Sequence, residues 1–179
     1  MSRRSMAWLD DAAALRRFGI KGPRAAEALK QLGLTVPARP NSWSPLRASD
    51  RDDSPNVIGR LGNTEFFLEE SGAAPGIAAL EQLAGDLPGV YPVLREDTAL
   101  VLGGPRASDV LVQVCNVNFA ALPGPKTVVM TLMIGVGVLV LPQVADDGPI
   151  YRIWCDPGFG AYLRTELEEI VQKIPTGRA

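Results

Sequence analysis

Two short motifs occur twice in this chain, and both pairs are separated by the same 82 residues. The tetrapeptide Gly-Pro-Arg-Ala at 22–25 recurs at 104–107, and the dipeptide Pro-Gly at 75–76 recurs at 157–158. Two landmarks so far apart that share one offset indicate duplication of about half of the chain. Because this period is too long for a solenoid repeat, we expect two sibling halves with the same internal structure.

Each half is predicted to contain a strand, a glycine turn and a helix around the repeated tetrapeptide. Residues 99–102 are a short apolar run typical of a buried strand. A glycine pair then ends the strand, and a proline opens a helix whose apolar residues recur at helical spacing. The repeated helix-start motif consists of Gly22, Pro23 and Arg24 in the first half and Gly104, Pro105 and Arg106 in the second.

The duplication predicts an α+β (α/β) fold with two similar halves, each containing a small, mainly antiparallel sheet and two helices. Residues 1–88 are expected to form the first half-repeat, with an irregular loop at 35–56, and residues 89–179 the second. Since such short halves bury too little apolar surface to be stable alone, we expect them to pack as one compact unit.

Local patterns predict the remaining strands and one more helix of the first half. Residues 57–61 and 65–69 are expected to form a β-hairpin, and residues 75–84 a helix. In the second half, residues 127–141 are predicted to form one bent strand or two, and residues 150–154 another strand.

Two further helices are predicted near the ends of the chain. Residues 7–16 are expected to form a short helix, and Asp156 is expected to cap the last helix, which begins at Pro157. The apolar stripe of the last helix is predicted to comprise Phe159, Tyr162, Leu163, Leu167, Ile170 and Val171.

The composition excludes several classes of function. The chain has no histidine, which removes the commonest general base, the usual serine and cysteine triads and most zinc sites. A net charge of −2 and an aromatic content of 6% argue against nucleic-acid binding. The longest apolar run has 15 residues, too few to cross a bilayer, and no signal peptide is evident. We therefore expect a cytoplasmic protein that binds neither membrane nor nucleic acid.

Two cysteines are candidates for thiol chemistry. Cys115 falls on the apolar face of a predicted helix and is expected to pack as a small hydrophobic residue. Cys155 immediately precedes the last helix, where an exposed thiol would have a lowered pKa and act as a nucleophile. A structural role is the favoured interpretation for both.

The arginine of the repeated motif allows two interpretations. Arg24 and Arg106 are each followed three residues later by an acid, Glu27 and Asp109, with which they could form ion pairs on the helix surface. Alternatively, the Gly-Pro-Arg turn could bind a carboxylate or a phosphate. The ion pairs are favoured, because the turn and the acid recur together in both halves.

Longer motifs resemble those of the gamma subunit of heterotetrameric sarcosine oxidase. The similarity rests on residues 100–107, 110–115, 118–119 and 151–163 of the second half and on the hairpin at 60–68 of the first. That family is similar in turn to the folate-binding domains of the glycine-cleavage T-protein, an aminomethyltransferase. The resemblance implies a small duplicated subunit without catalytic, cofactor-binding or metal-binding residues of its own.

The resemblance also implies partners and cofactors. The partners would be larger flavin-bearing alpha and beta subunits and a small delta subunit, and the complex would oxidatively demethylate sarcosine or a related N-methyl amine. FAD, FMN, NAD and tetrahydrofolate would be held by those partner subunits. The loops that vary between the halves are the expected partner interface, with Trp43 in the first and Phe119 in the second.

Two other functions are compatible with the sequence. One is a free-standing tetrahydrofolate-binding or aminomethyltransferase-like protein, which would need an acid to recognise the pterin. Glu65, Glu69, Asp97 and Asp156 are the candidates for that acid. The other is a scaffold protein unrelated to one-carbon chemistry.

Overall fold

The structure is a computed structural model, and it describes residues 6–175. In chain order the elements are β1 (Trp8–Asp11), β2 (Arg16–Lys21), α1 (Ala25–Gln31), β3 (Ser42–Pro45), β4 (Val57–Arg60), β5 (Glu65–Glu70), α2 (Pro75–Asp86), β6 (Tyr91–Val93), β7 (Thr98–Gly103), α3 (Ala107–Val114), β8 (Val129–Met133), β9 (Val136–Ala145), β10 (Gly148–Cys155) and α4 (Gly160–Lys173). Two single 3₁₀ turns, Phe119–Ala121 and Pro157–Phe159, precede β8 and α4.

The first-repeat unit comprises residues 14–96 and 126–128. Its five strands form an antiparallel sheet in the order β3-β4-β5-β2-β6, and α1 and α2 supply the apolar side chains that cover one face. The core contains Phe18, Ile20, Leu29, Leu46, Ile58, Phe66, Leu68, Ile77 and Leu80, all buried.

The second-repeat unit comprises the described residues up to Ala13, residues 97–125 and the described residues from Val129 onward. Its sheet has the order β1-β7-β10-β9-β8 and is again antiparallel, with α3 and α4 covering one face. The core contains Leu100, Leu102, Val110, Leu111, Val136, Val138, Val140, Ile153, Leu163 and Leu167.

The two sheets have the same strand order when each element is matched to its counterpart in the other repeat. The match extends to the register, because one row of paired core residues is equivalent in both sheets. That row is Ile58, Leu68 and Phe18 in one unit and Val140, Ile153 and Leu100 in the other. The predicted duplication and the α+β fold with two helices and an antiparallel sheet in each half are therefore confirmed.

The units do not follow the order of the repeats along the chain, because their edge strands are exchanged. β1 precedes the first repeat but pairs with β7 of the second, whereas β6 precedes β7 but pairs with β2 of the first. The compact units consequently differ from the predicted division at residues 88 and 89, since residues 6–13 and 89–96 each belong to the opposite unit. That the two units pack as one compact body stays a prediction.

The repeated Gly-Pro-Arg motif is where each exchanged strand docks. The N–H of Arg24 donates to Gly89 O at 3.1 Å, and the N–H of Arg106 donates to Met6 O at 2.8 Å. Gly22 and Gly104 have φ of +124° and +108°, and an added Cβ at either would collide with that same carbonyl oxygen. Only glycine satisfies both the conformation and the close approach, which explains why this motif recurs.

The predicted helix at residues 7–16 is wrong. This segment instead contains β1 and the start of β2, and it buries Ala7 and Ala12. The alanines favour a helix locally, but pairing with β7 satisfies the backbone and overrides that preference.

Other local predictions are resolved by the structure. The segment 127–141 contains two strands, joined by a tight turn in which Ile134 and Gly135 both have positive φ. Asp156 Oδ1 accepts the N–H of Gly158 at 2.8 Å, as expected of a helix cap, although the first turn is 3₁₀. Phe159 and Tyr162, predicted to face the core, are exposed. None of the helices within residues 6–175 is both long and apolar enough to cross a membrane.

Candidate partner interface

The arginines of the repeated motif form the ion pairs favoured from the sequence. Arg24 donates from Nε and Nη2 to the two carboxylate oxygens of Glu27, at 2.8 and 2.7 Å, and Arg106 Nε donates to Asp109 Oδ2 at 2.6 Å. The hydrogen bonds from Arg24 lower the pKa of the Glu27 carboxyl below its ordinary value. Both guanidinium groups are thus engaged within the chain, which argues against the alternative anion site.

Both cysteines are buried, which supports the structural interpretation. Cys155 is 3% exposed, and burial raises the pKa of its thiol, with the nearby charges of Asp97 and Asp156 adding to the effect. Cys115 is 7% exposed, and its Sγ lies 3.8 Å from Thr131 Oγ1. A buried thiol with a raised pKa is a poor nucleophile.

The four acids considered for pterin recognition are divided between the two units. Glu69 is fully buried in the first-repeat unit and lies 3.3 Å from Arg17 Nη1, while Glu65 lies 3.8 Å from Arg95. Asp97 and Asp156 belong to the other unit, near Cys155. None of the four lines the cavity described below.

Sequence reasoning missed one buried acid, Glu70. Its Oε2 accepts the N–H of Ile77 at 2.9 Å in the first turn of α2, and its Oε1 lies 2.6 Å from Arg47. A carboxylate is favourable beside a helix N-terminus, so Glu70 fixes α2 and the loop that carries Arg47. No sequence motif marks these contacts, because Arg47 comes from a distant segment and Ile77 from the next helix.

Trp43 is an anchor inside the first-repeat unit. Its side chain is 3% exposed, its backbone N–H donates to Lys126 O at 2.9 Å, and Lys126 Nζ lies 5.4 Å from the centre of its ring. The partner contact predicted for Trp43 stays a prediction, and its burial shows that the side chain packs within this unit.

Phe119 lies at the edge of a cavity of about 280 Å³ in the second-repeat unit. Its ring meets that of Tyr151 edge to face at 5.3 Å, and the Tyr151 hydroxyl lies 2.9 Å from Ser108 Oγ. The other walls come from the 3₁₀ loop and from the tip of the β9–β10 hairpin: Ala120, Leu122, Gly124, Pro125, Pro142, Gln143, Val144 and Pro149.

This cavity is built by segments that distinguish the second repeat from the first. β9 and β10 have ten and eight residues, whereas their counterparts β4 and β5 have four and six. The longer hairpin reaches past the sheet and faces the loop that carries Phe119. A partner contact at Phe119 stays a prediction, because its partly buried side chain already packs against the core of this unit.

Large apolar side chains are exposed in both units. They are Tyr91 and Leu94 in the first-repeat unit and Val112, Met130, Leu132, Val144, Phe159 and Tyr162 in the second. Exposed apolar patches often mark interfaces between proteins. By contrast, residues 6–175 contain no group of three or more cysteine or acidic side chains that could hold a metal ion.

The fold is similar to two solved structures of known proteins. One is the heterotetrameric sarcosine oxidase from Corynebacterium sp. U-96 in complex with pyrrole 2-carboxylate, with a TM-score of 0.75, 20% identity, and 97% of this chain and 87% of that chain covered. The other is the glycine cleavage system aminomethyltransferase T from Bartonella henselae, with a TM-score of 0.68, 21% identity and 92% of this chain covered. The resemblance to these proteins is confirmed at the level of the fold.

The two similarities differ in how much of the known chain they include. This chain spans 46% of the length of the aminomethyltransferase but matches the sarcosine oxidase chain along most of its length. No protein-family model and no curated protein sequence matches this chain.

Proposed function

We propose that this chain is a non-catalytic subunit of a multi-subunit flavoenzyme of the sarcosine oxidase type, equivalent to its gamma subunit. The observation that carries the proposal is the shared fold, which includes 97% of this chain and 87% of a chain of a heterotetrameric sarcosine oxidase. The aminomethyltransferase T, by contrast, is covered over 46% of its own length.

The chemistry of the described side chains supports a structural role. The chain has no histidine, both thiols are buried, and the two buried glutamates contact arginines. The surface, in contrast, exposes aromatic and aliphatic side chains that a partner could cover.

In this proposal the subunit acts in the cytoplasm together with alpha, beta and delta subunits. The complex oxidatively demethylates sarcosine or a related N-methyl amine and transfers the one-carbon unit to tetrahydrofolate. FAD, FMN, NAD and tetrahydrofolate are bound by the partner subunits, and this chain supports their assembly.

Purification of the native protein with its partners tests the proposal. We expect a stable complex with flavin-bearing chains that oxidises an N-methyl amine, whereas the chain alone should be colourless and inactive. Flavin absorbance or amine oxidation by the isolated chain would contradict the proposal, and so would a native protein that is free of flavoprotein partners.

A second candidate is a free-standing tetrahydrofolate-binding or aminomethyltransferase-like protein. The fold shared with aminomethyltransferase T favours it, although this chain spans 46% of that protein. Calorimetric titration of the isolated chain with tetrahydrofolate separates the two candidates. Sub-millimolar affinity would favour the second, and no measurable heat would favour the subunit.

A further inference from the structure

The beginning of α4 presents an aromatic pair to solvent. Phe159 and Tyr162 are 54% and 46% exposed, and Pro157 between Asp156 and Phe159 is exposed as well. Side chains three residues apart lie on one side of the chain both in a 3₁₀ turn and in an α-helix. The helix packs on its own unit through Leu163 instead, which is fully buried, so the fold does not require aromatic rings at these two positions.

Two acidic residues lie close to the aromatic pair along the chain. Glu166 lies one turn after Tyr162, and Asp156 precedes the turn that carries Phe159. Within residues 6–175, the Glu166 carboxylate has no basic partner. The neighbouring cations are already engaged, since Arg164 pairs with Asp11 and Glu168, and Lys173 with Glu169. We name the surface formed by Asp156, Pro157, Phe159, Tyr162 and Glu166 the α4 patch.

We propose that the α4 patch docks a basic segment of a partner subunit, in which an arginine or lysine lies on the rings of Phe159 and Tyr162 and pairs with Glu166. Guanidinium and ammonium groups are attracted to aromatic faces, and arginine also binds carboxylates through paired hydrogen bonds. Tyrosine and arginine are among the residues that contribute most to binding at interfaces. The proposal rests on the proposed function only in requiring a partner subunit.

The charge of the α4 patch favours this occupant over two others. In a symmetric dimer, a patch at the two-fold axis meets its own copy, so Glu166 and Asp156 would face the same acids across the interface. Like charges in such a contact are repulsive. A membrane surface is also anionic and would be repelled. A cationic partner surface is complementary to both the rings and the carboxylates.

Footprinting of the purified complex tests where the partner binds. Hydroxyl-radical oxidation, followed by mass spectrometry, would compare Phe159 and Tyr162 in the isolated chain and in the chain assembled with its partner subunits. Tyr91 is a matched reference, since it has the same residue type as Tyr162 and is 54% exposed in the other unit. We expect the oxidation of Phe159 and Tyr162 to fall by about fivefold or more on assembly, and by a larger factor than that of Tyr91.

Other outcomes of this experiment overturn the inference. If the complex forms while both rings oxidise as fast as in the isolated chain, the docking site is elsewhere and the proposed function stands. If the rings become protected in the isolated chain as its concentration rises, a second copy occupies the patch. If no complex forms, both the inference and the proposed function fail.

A charge reversal tests the chemistry of the occupant. Glu166→Lys should weaken assembly by about tenfold and reduce its dependence on salt, because it removes an attraction that salt screens. Glu168→Lys is the matched control on the same helix, since Glu168 lies 3.9 Å from Arg164, and it should change the affinity by less than about twofold. An unchanged affinity for Glu166→Lys, or an equal loss for both variants, would exclude the proposed contact.

Discussion

Substitution of the motif glycines by alanine should detach the exchanged strands one at a time. At Gly104, an alanine would adopt φ of +108°, and its Cβ would lie 2.7 Å from Met6 O and 3.2 Å from Ala7 Cα. The backbone strain costs about 1–3 kcal/mol, and the displacement of packed backbone costs about 1–3 kcal/mol more. We therefore expect Gly104→Ala to lower the free energy of unfolding by about 2–6 kcal/mol.

Two further variants separate the cost of the backbone strain from the cost of displacing packed backbone. Gly22→Ala creates the equivalent strain and collision at Gly89 O in the first-repeat unit and should cost a similar amount. Gly33→Ala is the control, because Gly33 also has a positive φ, +68°, but an added Cβ there would meet nothing within 4 Å. It should cost only the backbone term, about 1–2 kcal/mol.

Urea unfolding measured by circular dichroism gives the total loss in the free energy of unfolding. Hydrogen exchange measured by mass spectrometry shows which strand is destabilised. Gly104→Ala should accelerate exchange in residues 6–13 and leave residues 89–96 protected, and Gly22→Ala should do the reverse. The reasoning is refuted if Gly104→Ala unfolds at the same urea concentration as Gly33→Ala, or if either motif variant accelerates exchange equally in both strands.

Three other predictions concern packing, a buried charge and a thiol. Leu163→Ala should cost about 2–5 kcal/mol in urea unfolding because it leaves a cavity in the core, whereas Phe159→Ala at the exposed start of α4 should change stability by less than about 0.5 kcal/mol. Glu70→Gln should cost about 1–3 kcal/mol in urea unfolding because Arg47 loses its charged partner. Glu81 forms an exposed ion pair with Arg16 at 2.8 Å, so Glu81→Gln should cost less than about 1 kcal/mol, and equal losses would contradict this account. Since burial raises the pKa of Cys155, a thiol reagent should label it at pH 8 only as fast as the protein unfolds, and rapid labelling of the native protein would show that the thiol is accessible.

The sequence predicted the elements whose signals are local. The hairpin of β4 and β5, the four helices of the two repeats and the cap at Asp156 follow from turn residues, apolar spacing and capping preferences within a few positions. The fixed offset between repeats then predicted that both halves share one topology, because a duplicated sequence preserves the pattern of pairing.

The exchange of β1 and β6 could not be predicted in this way. Strand pairing depends on partners that are distant in sequence. The four-residue β1, which contains two aspartates and is followed by three alanines, carries no strong β-signal of its own. The role of Gly104 was missed for the same reason, since the backbone that approaches it comes from Met6.

Phe159 was predicted wrongly because it lies in the turn before α4, and Tyr162 because it lies about 100° around α4 from the buried Leu163. Residues Pro157–Phe159 form a 3₁₀ turn, in which successive side chains advance by a larger angle than in an α-helix. α-Helical spacing, extended backwards from Leu163 and Leu167, therefore places Phe159 wrongly on the apolar face of the helix. The exposure of Phe159 can therefore be recognised only once the turn is known.

The crossed edge strands have a consequence for how this chain can be inherited. A gene cut between its two repeats would encode two products that each carry the other's border strand and lack their own. Recombination at that point would separate every sheet from one of its five strands. The boundaries of a segment that could be deleted or recombined with its sheet intact are therefore not the boundaries of the duplicated sequence. Once the edge strands were exchanged, both repeats had to be inherited together for either sheet to keep all of its strands.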